Sequence, residues 1–346
     1  MREQIKLAII GCCALAALCI LFWPNTSKAA GDLSRVSGSN RLQTAIAASQ
    51  RLFPMANSAG AVLLSRSDSY PDALAAASLG GLLNAPILLT PPNQALDSSV
   101  RAEIDRVLAS GQTVIILGGS AAISSSVEAS LQPTYVTERL SGRNRYHTAR
   151  LIKERGDVAR GSTLTSIIVV SGENFPDALA VSSYSAFSST PIALIKQNSI
   201  PSDAAGMFTA SIDAAFFIGG TAVLSDGVRT QVETMICNLA TRISGVDRYD
   251  TSTKVANFFF ANPQAISVAL GTNFPDAISG GPLAGLTPLT TFGTPMILTQ
   301  SNNVPSVVRT YLQSKAGTID DTTSGYIFGG TTAITSATEI SLEQAI

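Results

Sequence analysis

Two arginines bracketing a Ser-Gly pair, in the pattern Arg-x-Ser-Gly-x-x-Arg, occur three times: Arg35 and Arg41, Arg139 and Arg145, Arg242 and Arg248. Arginine carries a planar, permanent charge whose fork grips a carboxylate or phosphate through two parallel hydrogen bonds. Two readings are open. The arginines bind an acidic polymer, or they are neutralised internally by a recurrent acid. That acid is Asp72, Asp177 or Asp276, each in a Pro-Asp-Ala block behind an aromatic residue (Tyr70, Phe175, Phe274). The internal pairs would then be Arg41 with Asp72, Arg145 with Asp177 and Arg248 with Asp276. Pro-Asp also suits a helix start, where proline fits the first position and a carboxylate complements the dipole. The aromatic rings suit a sugar face or a core edge. Tyr146 and Tyr249, next to the second arginine of the later two motifs, complete the candidate ligand-binding set.

Signals for catalysis are poor. The one histidine, His147, aligns with Gln43 and Asp250 and is not a repeat feature. The cysteines are Cys12, Cys13, Cys19 and Cys237. These residues cannot supply a His/Cys zinc site or a Ser-His-Asp triad in each repeat. Each repeat has a single recurrent carboxylate, whereas glycoside hydrolysis usually uses two. No catalytic residue, metal site or cofactor is therefore expected. The chain's 346 residues include 23 Lys+Arg and 24 Asp+Glu, a net charge of -1 that creates no broad field to attract nucleic acid or an anionic membrane. Charged residues are only 14% of the total, against about 25% in average soluble proteins. An apolar content of 45% rules out a disordered chain.

These motifs are positioned by a unit written three times. The Arg-x-Ser-Gly motif recurs after 104 and then 103 residues. The Pro-Asp block, Pro86-Ile-Leu-Leu89 with its counterparts Pro191–Leu194 and Pro295–Leu298, and Gly-Gly at 118–119, 219–220 and 329–330 keep step with it. A period this long fits tandem domains rather than a solenoid. The expected divisions are an export signal at 1–29, with Arg2 and Lys6 ahead of an apolar run, then repeats at 30–134, 135–238 and 239–346. Cleavage after Ala29 leaves Cys237 as the single thiol, expected to be buried and inert, and leaves no membrane segment. In the first unit, residues 40–52, 72–84, 97–109 and 124–131 read as helices. Residues 61–64, 86–89 and 113–117 read as short buried strands, and a further strand leads into the next Arg-x-Ser-Gly. Alternation of this kind predicts an α/β fold with parallel sheets covered on both faces. Each motif directly follows a strand, so all should lie along the carboxyl edge of the sheets.

The blocks R-x-S-G-x-x-R-Y, F-P-D-A, P-I-L-L and Gly-Gly, tandem in threes, resemble the type 2 cell-wall-binding repeat family of Gram-positive surface proteins. The resemblance covers Arg35 to about Ile346. It implies three Rossmann-like or toprim-like modules in a pseudo-threefold triangle. It also implies secretion and non-covalent attachment to an anionic wall polysaccharide, by a monomer with internal symmetry and without catalysis. The alternatives are an amidase-like peptidoglycan hydrolase or its modifier, and a structural or adhesive surface-layer protein. The repeats diverge: Leu42 replaces Tyr146 and Tyr249, Tyr70 replaces phenylalanine, and the third repeat inserts Gly285 to Gly293. Three equal sites are therefore not expected.

Overall fold

The computed structural model describes residues 31–320 and 324–346, so the expected export signal lies outside the described residues. Twelve parallel strands form three four-stranded sheets. The first sheet runs β3 (Ile87–Thr90), β2 (Ala61–Arg66), β4 (Thr113–Leu117), β5 (Val136–Leu140). The second runs β7 (Ile192–Ile195), β6 (Ser166–Ser171), β8 (Ala214–Ile218), β9 (Ala240–Ile243). The third runs β11 (Met296–Thr299), β10 (Ile266–Leu270), β12 (Gly325–Phe328), β1 (Leu33–Val36). Val62, Leu63 and Leu64 on β2 are fully buried, as expected of a parallel strand covered on both faces.

The unit that builds a sheet is offset from the sequence repeat. β5 begins the second repeat yet pairs with β4 of the first, with Ile116 opposite Arg139. β9 joins β8 in the same way, with Phe217 opposite Arg242. The third sheet takes β1 from the start of the chain, with Arg35 opposite Ile327. The three units therefore close into a ring. Within each sheet the strand order reverses between its first and third strands, the place where open α/β sheets form a ligand crevice.

The inner face of the ring is made of three helices: α2 (Ala76–Leu82), α6 (Pro176–Ser188) and α10 (Pro275–Leu286), which pack on one another pairwise. Their sequences carry almost no charge and many small residues. A side chain on Gly81 would overlap the Ala186 carbonyl, and one on Gly285 would run into Ala186 and Ser183. Close approach of these helices therefore depends on glycine there. Tyr70, Phe175 and Phe274, each just ahead of an inner helix, meet with centroids 5.3, 5.5 and 6.0 Å apart, the first pair tilted and the other two edge to face. The near-equilateral triangle marks the pseudo-threefold axis. One continuous apolar core includes residues from all three repeats, and a second cluster packs the outer layer of the first sheet.

Two local expectations are corrected. The helix expected over 72–84 spans only Ala76–Leu82, because the preceding segment closes in tight turns: Ala73 N–H bonds to Tyr70 O at 3.0 Å, and Ala76 N–H to Ala73 O at 3.0 Å. Cys237, expected to be buried, is exposed. It caps helix α8 (Asp226–Ile236) with a left-handed φ of 56°, one residue beyond Ile236, the last position on the buried face.

A shared core predicts a single unfolding transition. Gly81→Val, forcing a branched side chain into α6, should lower stability by about 3 kcal/mol or more and shift every spectroscopic probe together in urea. Separate transitions for the three units would show that they fold independently.

Candidate functional site

The first arginine of each motif, at the end of β1, β5 or β9, is held internally. Arg35, Arg139 and Arg242 donate from Nη1 to the carbonyls of Gly329, Gly118 and Gly219 at 2.7, 2.9 and 2.7 Å. Each also pairs with a carboxylate on the helix beyond that turn: Glu339, Glu128 or Asp226. These arginine side chains keep only 14–16% of their surface exposed. Each such arginine fastens its strand to the Gly-Gly turn of the neighbouring unit.

The chain then turns into a helix: α1 (Arg41–Leu52), α5 (Arg145–Arg160) or α9 (Arg248–Phe259). Asn40, Asn144 and Asp247 cap these helices, their side chains accepting from the next two free N–H groups. The motif glycines Gly38, Gly142 and Gly245 donate N–H to Thr44, Thr148 and Thr251 Oγ1 at 3.2, 3.2 and 3.0 Å. Any side chain on those glycines would collide with the helix start. The threonine three residues after the second arginine is thus a repeat feature that the sequence reading missed, although its spacing was visible.

The second arginine opens the helix. Arg41, Arg145 and Arg248 each donate one Nη1 hydrogen bond, to Ser67 O at 2.7 Å, Gly172 O at 2.5 Å and Gly271 O at 2.7 Å. No ion pair fixes the rest of the fork among the described residues. The expected pairs inside each repeat do not form. Arg248 instead acts on Asp177 of the preceding repeat, and Arg41 on Asp276. Arg145 lies 5.9 Å above the ring of Tyr70, two residues from Asp72. The reason is the strand hand-over, which places the arginine of one repeat beside the carboxylate of the one before.

Each carboxylate is wedged against the first glycine of its own Gly-Gly turn. A Cβ on Gly118, Gly219 or Gly329 would lie 2.5, 2.5 or 2.6 Å from Oδ2 of Asp72, Asp177 or Asp276, and all three glycines have positive φ. Burial raises Asp177 to about 6, against the opposing pull of Arg248. Burial also raises Asp276, opposed by the Thr44 hydroxyl and by Arg41.

Clefts result between successive repeats. One of about 270 Å³ is lined by Asn174, Asp177, Val246, Asp247, Arg248 and Thr251 among others. Its counterpart, about 260 Å³, is lined by Ser39, Asn40, Arg41, Thr44, Asn273 and Asp276 among others. At the position of Ser39 and Val246, the second repeat has Arg143, whose side chain is 77% exposed and pairs with Asp203. The acidic cap Asp247 adds a second carboxylate to the cleft between repeats two and three, where its counterpart has the neutral cap Asn40.

Tyr146 and Tyr249 are placed in the core rather than in a cleft, each 8% exposed. Their rings press on Gly172 and Gly271, where a Cβ would sit 2.6 and 2.7 Å from Cε1. The first repeat has Leu42 and Ser67 at the matching positions, a smaller ring substitute against a larger strand-end residue.

Asp177 yields a pH test. A carboxyl whose pKa rises on folding keeps its proton in the native chain after the unfolded chain has lost it, so it reduces stability as pH rises. Asp177→Asn should therefore remove a loss of order 1–3 kcal/mol between about pH 4 and 6 and leave the variant no less stable at pH 7. Chemical denaturation across that range checks this. An unchanged pH profile would place Asp177 in water.

Comparison with known proteins agrees with the three-unit fold. A model described as "Cell wall binding domain 2 (CWB2)" matches residues 35–128, 139–229 and 242–339. The chain is 30% identical over 317 residues to "N-acetylmuramoyl-L-alanine amidase LytC" of Bacillus subtilis (strain 168), covering 91% of this chain and 59% of that protein. It is 27% identical over 320 residues to "Amidase enhancer" of the same strain, covering 91% and 41%. Among solved structures, Cwp6 from Clostridium difficile matches with a TM-score of 0.79 at 24% identity, over 92% of this chain and 48% of that one. Cwp8 from Clostridium difficile matches with a TM-score of 0.78 at 26% identity, over 90% and 51%. The chain thus spans about half the length of the relatives it matches. With three matched segments in step with its three sheets, it belongs to the cell wall binding domain 2 family.

Proposed function

We propose that this chain is a non-catalytic, secreted wall anchor that grips an anionic wall polysaccharide in the clefts between successive repeats. The supporting observation is the second arginine: one Nη1 fixed to a backbone carbonyl, the remaining fork unpaired, beside the capped start of a helix in every repeat. The helix dipole adds to the attraction for an anion there, although the cap side chains already occupy two N–H groups of each helix start. Arg41, Arg145 and Arg248 bind the polymer, while Asp72, Asp177 and Asp276 orient the arginines and limit affinity by repulsion. Arg35, Arg139 and Arg242 hold the sheet to its neighbour. Tyr146 and Tyr249 set the helix against the strand end.

Three weak sites on one rigid body raise retention through effective concentration without requiring a strong net charge. The positions of Arg41 and Arg145 carry most of the binding, because Asp247 adds a second acid beside Arg248. The amidase names among the relatives belong to proteins of which this chain matches 59% and 41%. Each cleft here offers one recurrent carboxylate and no paired nucleophile and base.

Co-sedimentation with purified walls tests the reading. Binding should fall with salt and disappear when the anionic polymer is stripped. Arg41→Ala with Arg145→Ala should cut retention by about 10²-fold, with helix content unchanged by circular dichroism. Arg248→Ala alone should have the smallest effect. Retention on stripped walls, or release of amine from peptidoglycan by the purified protein, would overturn it.

A further inference from the structure

Away from the inter-repeat clefts, a cavity of about 360 Å³ opens between the ends of helices α6 and α9 and the loop inserted in the third repeat. Its walls include the rings of Phe187, Phe259, Phe260 and Phe292 and the amides of Asn262 and Gln264. Thr290 and Thr291 add hydroxyls, and no charged residue lines it. The clefts described above each hold an arginine and a carboxylate, so the chemistry here is different.

The inserted loop is braced. Thr290 Oγ1 donates to Gly293 O at 2.6 Å, and Thr294 N–H to Ala284 O at 2.7 Å. Gly293 adopts φ +70°, and a side chain there would meet the backbone of Ala284 and Gly285. The loop holds Phe292, 68% exposed, edge to face with Phe187 at 6.1 Å. Across the cavity, Phe259 stacks on Tyr184 at 3.7 Å and 19°, which fixes its plane. A phenylalanine so exposed adds little to the core, yet its position is rigidly set, as binding without an ordering cost requires. The side-chain amides of Asn262 and Gln264 form no hydrogen bond among the described residues, so their donors and acceptors remain available.

Flat apolar faces, the free amides, the Thr291 hydroxyl and a lining without charge fit a ring with one C–H face and a rim of hydroxyls. A lipid or a wholly apolar peptide would leave the amides unpaired on burial, at a cost. A polyanion finds no cation in the lining, and Lys315 beside it donates to Ala261 O at 2.7 Å. We propose that this cavity binds a neutral saccharide of about one or two rings, its volume lying in the range of about 300–1,000 Å³ common for ligand sites. The site occurs once, because it is made by the third repeat's insertion and by the Phe258–Phe260 run, which the other repeats lack. It is independent of the polymer clefts.

The test uses the full chain after the expected signal, with short β-linked oligosaccharides of N-acetylglucosamine and of glucose as probes. Saturation-transfer NMR and calorimetry should detect binding that does not change with salt. Phe292→Ala and Gln264→Ala should each weaken it roughly three- to tenfold without altering the unfolding temperature, since both side chains are exposed. No signal from either sugar series, or binding unchanged by both variants, would overturn the proposal. So would a concentration-dependent self-association that Phe292→Ala abolishes while sugar binding is absent, which would mark the patch as a contact between copies.

Discussion

Each sheet takes its last strand from the repeat that follows, and the third sheet must take it from the beginning of the chain. The pairing of β1 with β12 therefore closes the ring and sets the site geometry at the same time. The Arg-x-Ser-Gly strand arrives at a neighbour's sheet, its first arginine locks onto that neighbour's Gly-Gly turn, and its second arginine emerges beside that neighbour's Asp. Without the hand-over, each repeat would hold its arginine and carboxylate on separate elements, and the cleft between units would lose one wall.

The same constraint accounts for the sparse charge. Units that share strands and pack inner helices at glycine and alanine contacts have little room for ionised side chains between them. Burying a charge without a partner is costly, and the carboxylates of Asp177 and Asp276 show the effect as raised pKa values. Six of the 23 Lys and Arg residues occupy the fixed positions of the arginine motifs. A near-neutral protein can therefore present three local cationic groups without a global field.

Much of the architecture was legible from spacing and alternation. The strand Thr113–Leu117 has the expected bounds, the other buried strands are displaced by one or two residues, and the motifs fall at strand carboxyl ends. The arginine partners were not legible in this way. Repetition shows that Arg248 and Asp276 recur together, but it carries no information on which copy meets which, and the strand hand-over shifts the partners of Arg248 and Arg41 by one repeat. The role of Tyr146 and Tyr249 was hidden because an exposed-looking motif position packs inward against a glycine 22 or more residues later. Thr44, Thr148 and Thr251 were equally periodic, but threonine suits so many surfaces that its recurrence carried little weight until its bond to the motif glycine was seen. Cys237 failed as a core residue because an apolar stripe ends at a definite position, and it lies one step past it.

Recognition between repeats, rather than within any one of them, is tested most directly by amide chemical-shift mapping with a soluble fragment of the anionic wall polymer. Salt-sensitive shifts should centre on Gly38 and Gly142, with weaker ones at Gly245, and extend to the Gly-Gly turns at Gly118 and Gly329. Shifts confined to the outer helices, or equal in size at all three motif glycines, would contradict it.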